Sequence, residues 1–390
     1  MIEKEQRRSM RVLHFRSPFS KLSETFIYDM VCELDRKMGD QHVVALRRIN
    51  EAERPFPRVR VLHVPRRWHP KAVWHRIHTR YSREGTDASQ WALIRNMMEA
   101  TIRDVSPAVV HAHFGSDGLA IAPVVARLGI PLVVSFHGVD ASRLLDNDEI
   151  HGLMKREVFG IANIVAVSQE MKGRLVGKGA RDDRIHVIHV GKRTEEYNFN
   201  PPVNVRRFVS VGRMIEKKGH FDTVRAFATI CNEYKDVSLD IVGGGDLMDN
   251  LRDLIHGLNI ENRVVLHGYL SHDQVKDVMA RSDAFVLSSR RAQNGDCEGA
   301  PTVLMEAQAA GLPCVSTWHA GIPETIPAEN HHLLAPEGDV EGIASRMRWL
   351  TQAPPDELVM IAERGRAHIE ENYNLATEAR KLMSLYEHIV

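Results

Sequence analysis

FVSVGRMIEKKGH, residues 208 to 220, decides how the second half of this chain folds. A β-branched run ends in Gly212, a basic turn follows with Arg213, Lys217 and Lys218, and Gly219 stands just ahead of an amphipathic stretch. Strand, glycine-flanked turn and helix in that order make one βα unit. A sheet built from such units is parallel, and its turns gather at the carboxyl ends of the strands, where open α/β sheets bind ligands. An arginine fork and an ammonium at that edge meet phosphate oxygens well, and the free amides of the following helix add to the same site. Taken alone, the basic cluster also reads as a solvated turn.

The same alternation extends in both directions. Upstream, strands are expected at 11–15, 42–46, 59–64, 108–113, 131–136, 163–167 and 185–189; downstream at 208–212, 238–243, 263–268, 284–289 and 313–317, with helical stretches between them. The two series meet near EEYNFNPPVN, residues 195–204, where Pro201 and Pro202 break any element. The predicted class is α/β, with one domain over 1–198, a second over 199–372, and a final helix over 373–390 that returns to the first. Ala379, Leu382, Leu385 and Tyr386 share one face of that helix.

A chain of 390 residues with 43% apolar and 26% charged residues suits two globular domains. Its four cysteines, at 32, 231, 297 and 314, form no C-x-x-C pair and no zinc-like cluster, which fits a reducing cytosol. The N-terminus lacks the apolar core of a signal peptide, and the most apolar stretch, 118–136, is broken by Arg127 and two prolines, so neither secretion nor a membrane span is expected. Net charge is zero, yet residues 1–100 hold 20 Lys/Arg against 12 Asp/Glu. Between Arg54 and Arg83 there are nine basic residues and no acidic one, interleaved with Trp68, Trp74 and Tyr81. Arg66, Arg67, Trp68, Trp74 and Arg76 could form an interfacial element that meets an anionic membrane surface or an acceptor; a solvated helix with its aromatics in the core is the alternative.

Several reaction classes are disfavoured by what the chain lacks. There is no G-x-S-x-G, no H-E-x-x-H and no complete P-loop, and the turn at Gly243, Gly244 and Gly245 lacks the third glycine of a dinucleotide fingerprint. Asp146-Asn147-Asp148 has the D-x-D spacing of a metal site but precedes a helix, where N-capping is the simpler role. EGAPTVLMEAQAAG, 298–311, is more informative. Pro301 and Thr302 suit a first helical turn, which leaves Glu298 in the preceding loop and Glu306 just over one turn into the helix. The amides of Gly299, Thr302 and Val303 would be uncommitted and ready for an anion, while the glutamates could accept hydrogen bonds from sugar and ribose hydroxyls.

GRMIEKKG, EGAPTVLMEAQAAGLPCVSTWHAGIPE and LLAPEGD together resemble the donor half of the family-4 retaining glycosyltransferases, whose two glutamates keep an E-x7-E spacing. The resemblance implies a GT-B fold: two facing Rossmann-like domains with parallel sheets and an interdomain cleft. It implies that Arg213 and Lys218 bind the diphosphate of a nucleotide sugar, that Glu306 binds its ribose, and that Glu298 lies near the donor sugar, with Gly212, Gly244, Gly299, Thr302 and Val303 as further donor-binding positions. HGVD, 137–140, is similar to the family's HG motif and places His137 beside the donor sugar; VHAHFGSDG and SETFI point toward enzymes of exopolysaccharide synthesis of the colanic acid or amylovoran kind. Many members of that family carry a glycine-rich turn after the first strand, which FRSPFSKLSETF lacks, and usually N-G-L-L where this chain has His331-His332-Leu333-Leu334.

The expected function is therefore retaining, metal-independent hexosyl transfer from a UDP- or GDP-sugar to an acceptor hydroxyl, with no prosthetic group, no metal and no nucleic-acid partner. A lipid-linked glycan is the expected acceptor, which would put the enzyme in the cytoplasm or peripherally on the cytosolic face of the membrane. Three alternatives stand beside it: a soluble small-molecule acceptor, a silent nucleotide-sugar-binding subunit, and a nicotinamide enzyme built on one Rossmann unit.

Overall fold

The computed structural model describes residues 9–21, 24–63 and 86–390. The chain divides into two compact units: residues 1–167, 172–188 and 375–390 form the first, residues 168–171 and 189–374 the second.

The first unit is built on seven parallel strands, β1 (Val12–Phe15), β2 (Gln41–Ala45), β3 (Val59–Val61), β4 (Val109–Ala112), β5 (Leu132–Phe136), β6 (Asn163–Ala166) and β7 (Ile185–Val187), ordered β3-β2-β1-β4-β5-β6-β7. β1, β4 and β5 are buried along their whole length, as near-continuous apolar runs in a doubly covered parallel sheet should be. The terminal helix Leu375–Ile389 lays Leu375, Ala379, Leu382, Leu385 and Tyr386 into the same core as Val12, Val109, Val133 and Val165.

The second unit carries β8 (Arg207–Val211), β9 (Ser238–Val242), β10 (Val264–Gly268), β11 (Ala284–Val286), β12 (Cys314–Thr317) and β13 (Leu334–Ala335), again all parallel, ordered β10-β9-β8-β11-β12-β13. Each strand expected from the sequence is present; β3 and β11 end earlier than expected, and β13, only two residues long, was not anticipated. Past Val286 the Leu287 amide still donates to the Val315 carbonyl at 3.0 Å, and then the Thr317 hydroxyl donates to the Ser289 carbonyl where the strand has ended.

Strand order reverses direction between β1 and β4 in one unit and between β8 and β11 in the other, so each sheet has one switch point at its carboxyl edge. In the second unit two glycines let the chain close on that point. Gly219 has φ +65°, and a Cβ there would fall 1.7 Å from the Ser288 carbonyl oxygen; a Cβ on Gly243, at φ +133°, would fall 1.9 Å from that of Gly212.

Candidate active site

The segments after β8 and β11 flank the switch point of the second unit, and their charges meet there. Lys218 Nζ lies 2.7 Å from Glu298 Oε1, with side-chain exposures of 12% and 8%. The Ser289 hydroxyl donates to the same oxygen at 3.4 Å. Lys217, equally buried, ties the loop below by donating to Asp296 Oδ1 and to the Cys297 carbonyl, both at 3.0 Å. Burial alone would push the Glu298 carboxyl up, but Lys218, Lys217, the Lys218 hydrogen bond and His319 outweigh it and hold it at about 2. Burial pulls the Lys218 ammonium below its ordinary value, and Glu298 pulls it back. Arg213 is exposed, and its guanidinium forms no ion pair among the described residues, so one cation beside the pair is uncommitted. Gly212 leaves room for this arrangement, since its Cβ would sit 3.3 Å from Lys218 Cδ.

The helix Thr302–Ala309 starts at Pro301, which offers no side-chain cap. Leu304 N–H donates to the Pro301 carbonyl, whereas the amides of Gly299, Thr302 and Val303 have no acceptor among the described residues. One turn on, Glu306 is 8% exposed and pairs with Lys192, 5% exposed, at 2.5 Å. Lys192 is set in place by its amide, which donates to the Tyr373 carbonyl at 2.7 Å. Gly244 lies in the turn after β9 under Tyr269, whose Cε2 would stand 2.4 Å from an added Cβ. The structure thus gathers Arg213, Lys218, Glu298, Gly299, Thr302 and Val303 around one switch point, while Glu306 has a separate partner that sequence reasoning missed.

In the first unit, His137 follows β5 and rests between the Phe26 and Phe114 rings, at centroid distances of 4.7 and 4.9 Å. Both of its ring nitrogens are buried without a hydrogen-bond partner. Burial first, then the Arg16 charge, lower its pKa to about 3, so the ring is neutral. Asp140 of the same HGVD turn accepts from three amides, His137 and Gly115 at 2.9 Å and Gly138 at 3.0 Å, and so ties the turn to the start of the helix Gly115–Arg127. After β1, where the resemblance led to the expectation of a glycine-rich turn, Arg16 lies over the Phe114 ring at 4.1 Å, paired to Glu24 at 2.7 Å and Asp117 at 3.1 Å. Burial pushes the Asp117 carboxyl up to about 7 in spite of Arg16.

Two groups of side chains offer metal-type donors. Asp146 pairs with Lys178 at 2.9 Å and Asn147 caps the helix Asp148–Met154 by accepting from Ile150 N–H, so that D-x-D is committed to capping and pairing. His14, His111 and His113 bring ring nitrogens within 4.8 Å of one another. Both nitrogens of His14 already bond to Gln41 and His113, both of His111 to Tyr386 and Ser135, and His113 stacks on its two neighbours. Stacked, hydrogen-bonded rings do not converge their lone pairs on one ion. The basic aromatic segment with Arg66, Arg67, Trp68, Trp74 and Arg76 lies outside the described residues. Among the described residues no helix is long and apolar enough to cross a membrane.

Comparison with known proteins agrees with this geometry. The family model for Glycosyltransferase Family 4 matches residues 23–196, and that for Glycosyl transferases group 1 matches residues 192–368. The chain is 32% identical over 286 residues to a putative colanic acid biosynthesis glycosyltransferase, WcaL, of Escherichia coli K12, covering 71% of this chain and 69% of that protein. It is 30% identical over 316 residues to the amylovoran biosynthesis glycosyltransferase AmsK of Erwinia amylovora, covering 79% and 76%. Among solved structures, Anabaena Alr3699/HepE in complex with UDP-glucose aligns with a TM-score of 0.78 over 97% of this chain and 100% of that one at 17% identity. Sucrose-phosphate synthase of Thermosynechococcus elongatus aligns with a TM-score of 0.75 over 97% and 98% at 15% identity. Two Rossmann-like parallel-sheet units, the paired glutamates and these matches make the chain a GT-B glycosyltransferase of family 4.

Proposed function

We propose that the enzyme moves a hexosyl group from a UDP-sugar to an acceptor hydroxyl with retention of anomeric configuration and without a metal ion, in the assembly of an exopolysaccharide. The observation that carries this reading is the set of cations and uncommitted amides at one sheet edge of the second unit: Arg213 and Lys218 beside the amides of Gly299, Thr302 and Val303. Such a set stabilises a departing diphosphate electrostatically, with dipoles already oriented before reaction, which is the work a bound cation does elsewhere. Glu306 accepts from the ribose diol and Glu298 from donor-sugar hydroxyls. His137 supplies one of its unpartnered nitrogens to the sugar; leaving them bare costs about 1–3 kcal/mol each, which a bound hydroxyl would relieve. UDP is favoured over GDP because the aligned Anabaena protein was solved with UDP-glucose.

Among the described residues no carboxylate nucleophile is evident beside this set: Glu298 is held by Lys218 and Glu306 by Lys192. The acceptor oxygen therefore attacks the anomeric carbon from the face the diphosphate leaves, the bond to the diphosphate breaks, and the hydroxyl proton passes to a diphosphate oxygen. The relatives named for colanic acid and amylovoran synthesis support a glycan acceptor; that this glycan is carried on a lipid and reached at the cytosolic face of the membrane is part of the proposal. Incubation with UDP-hexoses and lipid-linked glycan acceptors in the presence of EDTA tests the reading. An α-linked product from an α-donor, seen by mass and by anomeric proton coupling, is expected. An inverted linkage, or a strict need for Mg²⁺ or Mn²⁺, would overturn it.

A further inference from the structure

The short strand β13 sets up an arrangement that neither glutamate motif contains. β12 and β13 pair with Thr317 opposite Ala335, so two residues further on His319 and Glu337 emerge side by side at the carboxyl edge. His319 is 1% exposed; its Nδ1 lies 2.6 Å from Glu337 Oε1, and its Nε2 lies 3.1 Å from the amide nitrogen of Glu298. A backbone amide only donates, so Nε2 must carry the lone pair and the proton must sit on Nδ1, directed at the Glu337 carboxylate. The other Glu337 oxygen accepts from Arg291 N–H at 2.8 Å. One carboxylate thus holds both ends of the segment 291–298, the front through the Arg291 amide and the rear through His319. The opposite side of that segment is fixed by Gln293 N–H on Glu216 at 3.0 Å and by Arg290 N–H on the Lys217 carbonyl at 3.0 Å.

We infer that His319 and Glu337 are positioning residues that aim Glu298. The ring nitrogen fixes the Glu298 amide, and with the backbone fixed the carboxylate keeps its place 2.7 Å from Lys218. Among the described residues the side chains of the pair hold the Glu298 and Arg291 amides and touch no group assigned to the diphosphate or the ribose. This inference rests on the proposed role of Glu298 beside the donor sugar. Misplacement of a reacting partner by about 1 Å can cost about 100-fold in rate, so loss of the ring nitrogens should lower kcat and spare nucleotide binding.

The test compares His319→Phe, His319→Gln and Glu337→Gln with the wild-type enzyme. In His319→Phe, kcat should fall at least about tenfold while UDP affinity stays within about threefold, a split that general unfolding does not give. In His319→Gln the side-chain carbonyl replaces Nε2 as acceptor, so that variant should recover much of the lost kcat. Glu337→Gln can donate to Nδ1 and so permits the other tautomer, which sets an Nε2–H against the Glu298 amide; it should show a smaller fall of the same kind. Nitrogen-15 NMR of histidine-labelled wild-type protein reads the tautomer without reference to activity, and the Nδ1–H form is expected for His319. An Nε2–H form, or equal losses of kcat and UDP affinity in all three variants, would overturn the inference even if the variants folded poorly. Full activity in Glu298→Gln would instead strike at the proposed role of Glu298 and leave the tautomer assignment standing.

Discussion

Lys218→Met removes the positive end of a pair whose side chains are 12% and 8% exposed and leaves Glu298 buried beside only Lys217. Breaking a buried pair from one side costs about 3–5 kcal/mol, and the remaining Lys217 charge favours the lower end, about 3 kcal/mol. For a unit of this size each kcal/mol moves the midpoint by about 2–4 °C, so Tm should fall by roughly 6–12 °C. Removing both charges in Lys218→Met/Glu298→Gln should recover part of that loss, with a coupling of about 1–3 kcal/mol. The pH dependence gives an independent sign. Glu298 is held at about 2 against an ordinary 4.5, so its stabilisation is fully present above pH 4.5 and is lost as pH falls toward 2. In Lys218→Met burial has less to oppose it and raises that carboxyl, so protonation relieves the variant while it costs the wild type. The stability gap in urea unfolding should therefore start to narrow above pH 4.5, where the variant's carboxyl takes up its proton, and go on narrowing below pH 4.5, where the wild type loses its stabilisation. A gap independent of pH, or a coupling under about 0.5 kcal/mol, would refute the assignment.

Gly219→Ala should cost more than about 3 kcal/mol, or prevent folding, because its Cβ would meet the Ser288 carbonyl at 1.7 Å; a variant as stable as wild type in urea would show that the turn after β8 can move away. His14 and His220 are held at about 4 and His137 at about 3, each chiefly by burial. Their folded pKa values lie below the unfolded one, so the unfolded chain binds protons first and stability drops as pH falls from 6.5 toward 4, by up to about 1.4 kcal/mol per pH unit for each histidine. Urea unfolding between those limits reads this directly, and His14→Gln should flatten the slope by about one histidine's share. Tyr386→Phe removes the partner of His111 Nδ1, 2.5 Å away, and should destabilise the first unit by about 1–2 kcal/mol by denaturant unfolding.

Local signals in the chain carried far. The alternation of β-branched runs and amphipathic stretches located both sheets, and the glycine-flanked basic turn and the E-x7-E spacing located the switch-point residues of the second unit, because those features are written in contiguous residues. What escaped depends on register between distant segments. Lys192 and Glu306 are far apart in the chain, and nothing near either predicts their pairing. His319 carries no local signal, because its role comes from β12 lying against β13, and two residues are too few to show an alternation. Asp140 sits in a legible HGVD motif, yet its three amide donors include Gly115 from another element. Arg16 is the converse case: the missing glycine turn was visible, but not that a guanidinium over Phe114 fills the place.

Isothermal titration of UDP, in EDTA, into wild-type protein and into Arg213→Ala tests most directly whether protein cations and amides alone hold the diphosphate. Binding without divalent metal, weakened at least about tenfold in Arg213→Ala, about 1.4 kcal/mol, is the predicted result. Binding that appears only when Mg²⁺ is added, or an affinity unchanged by loss of Arg213, would contradict it.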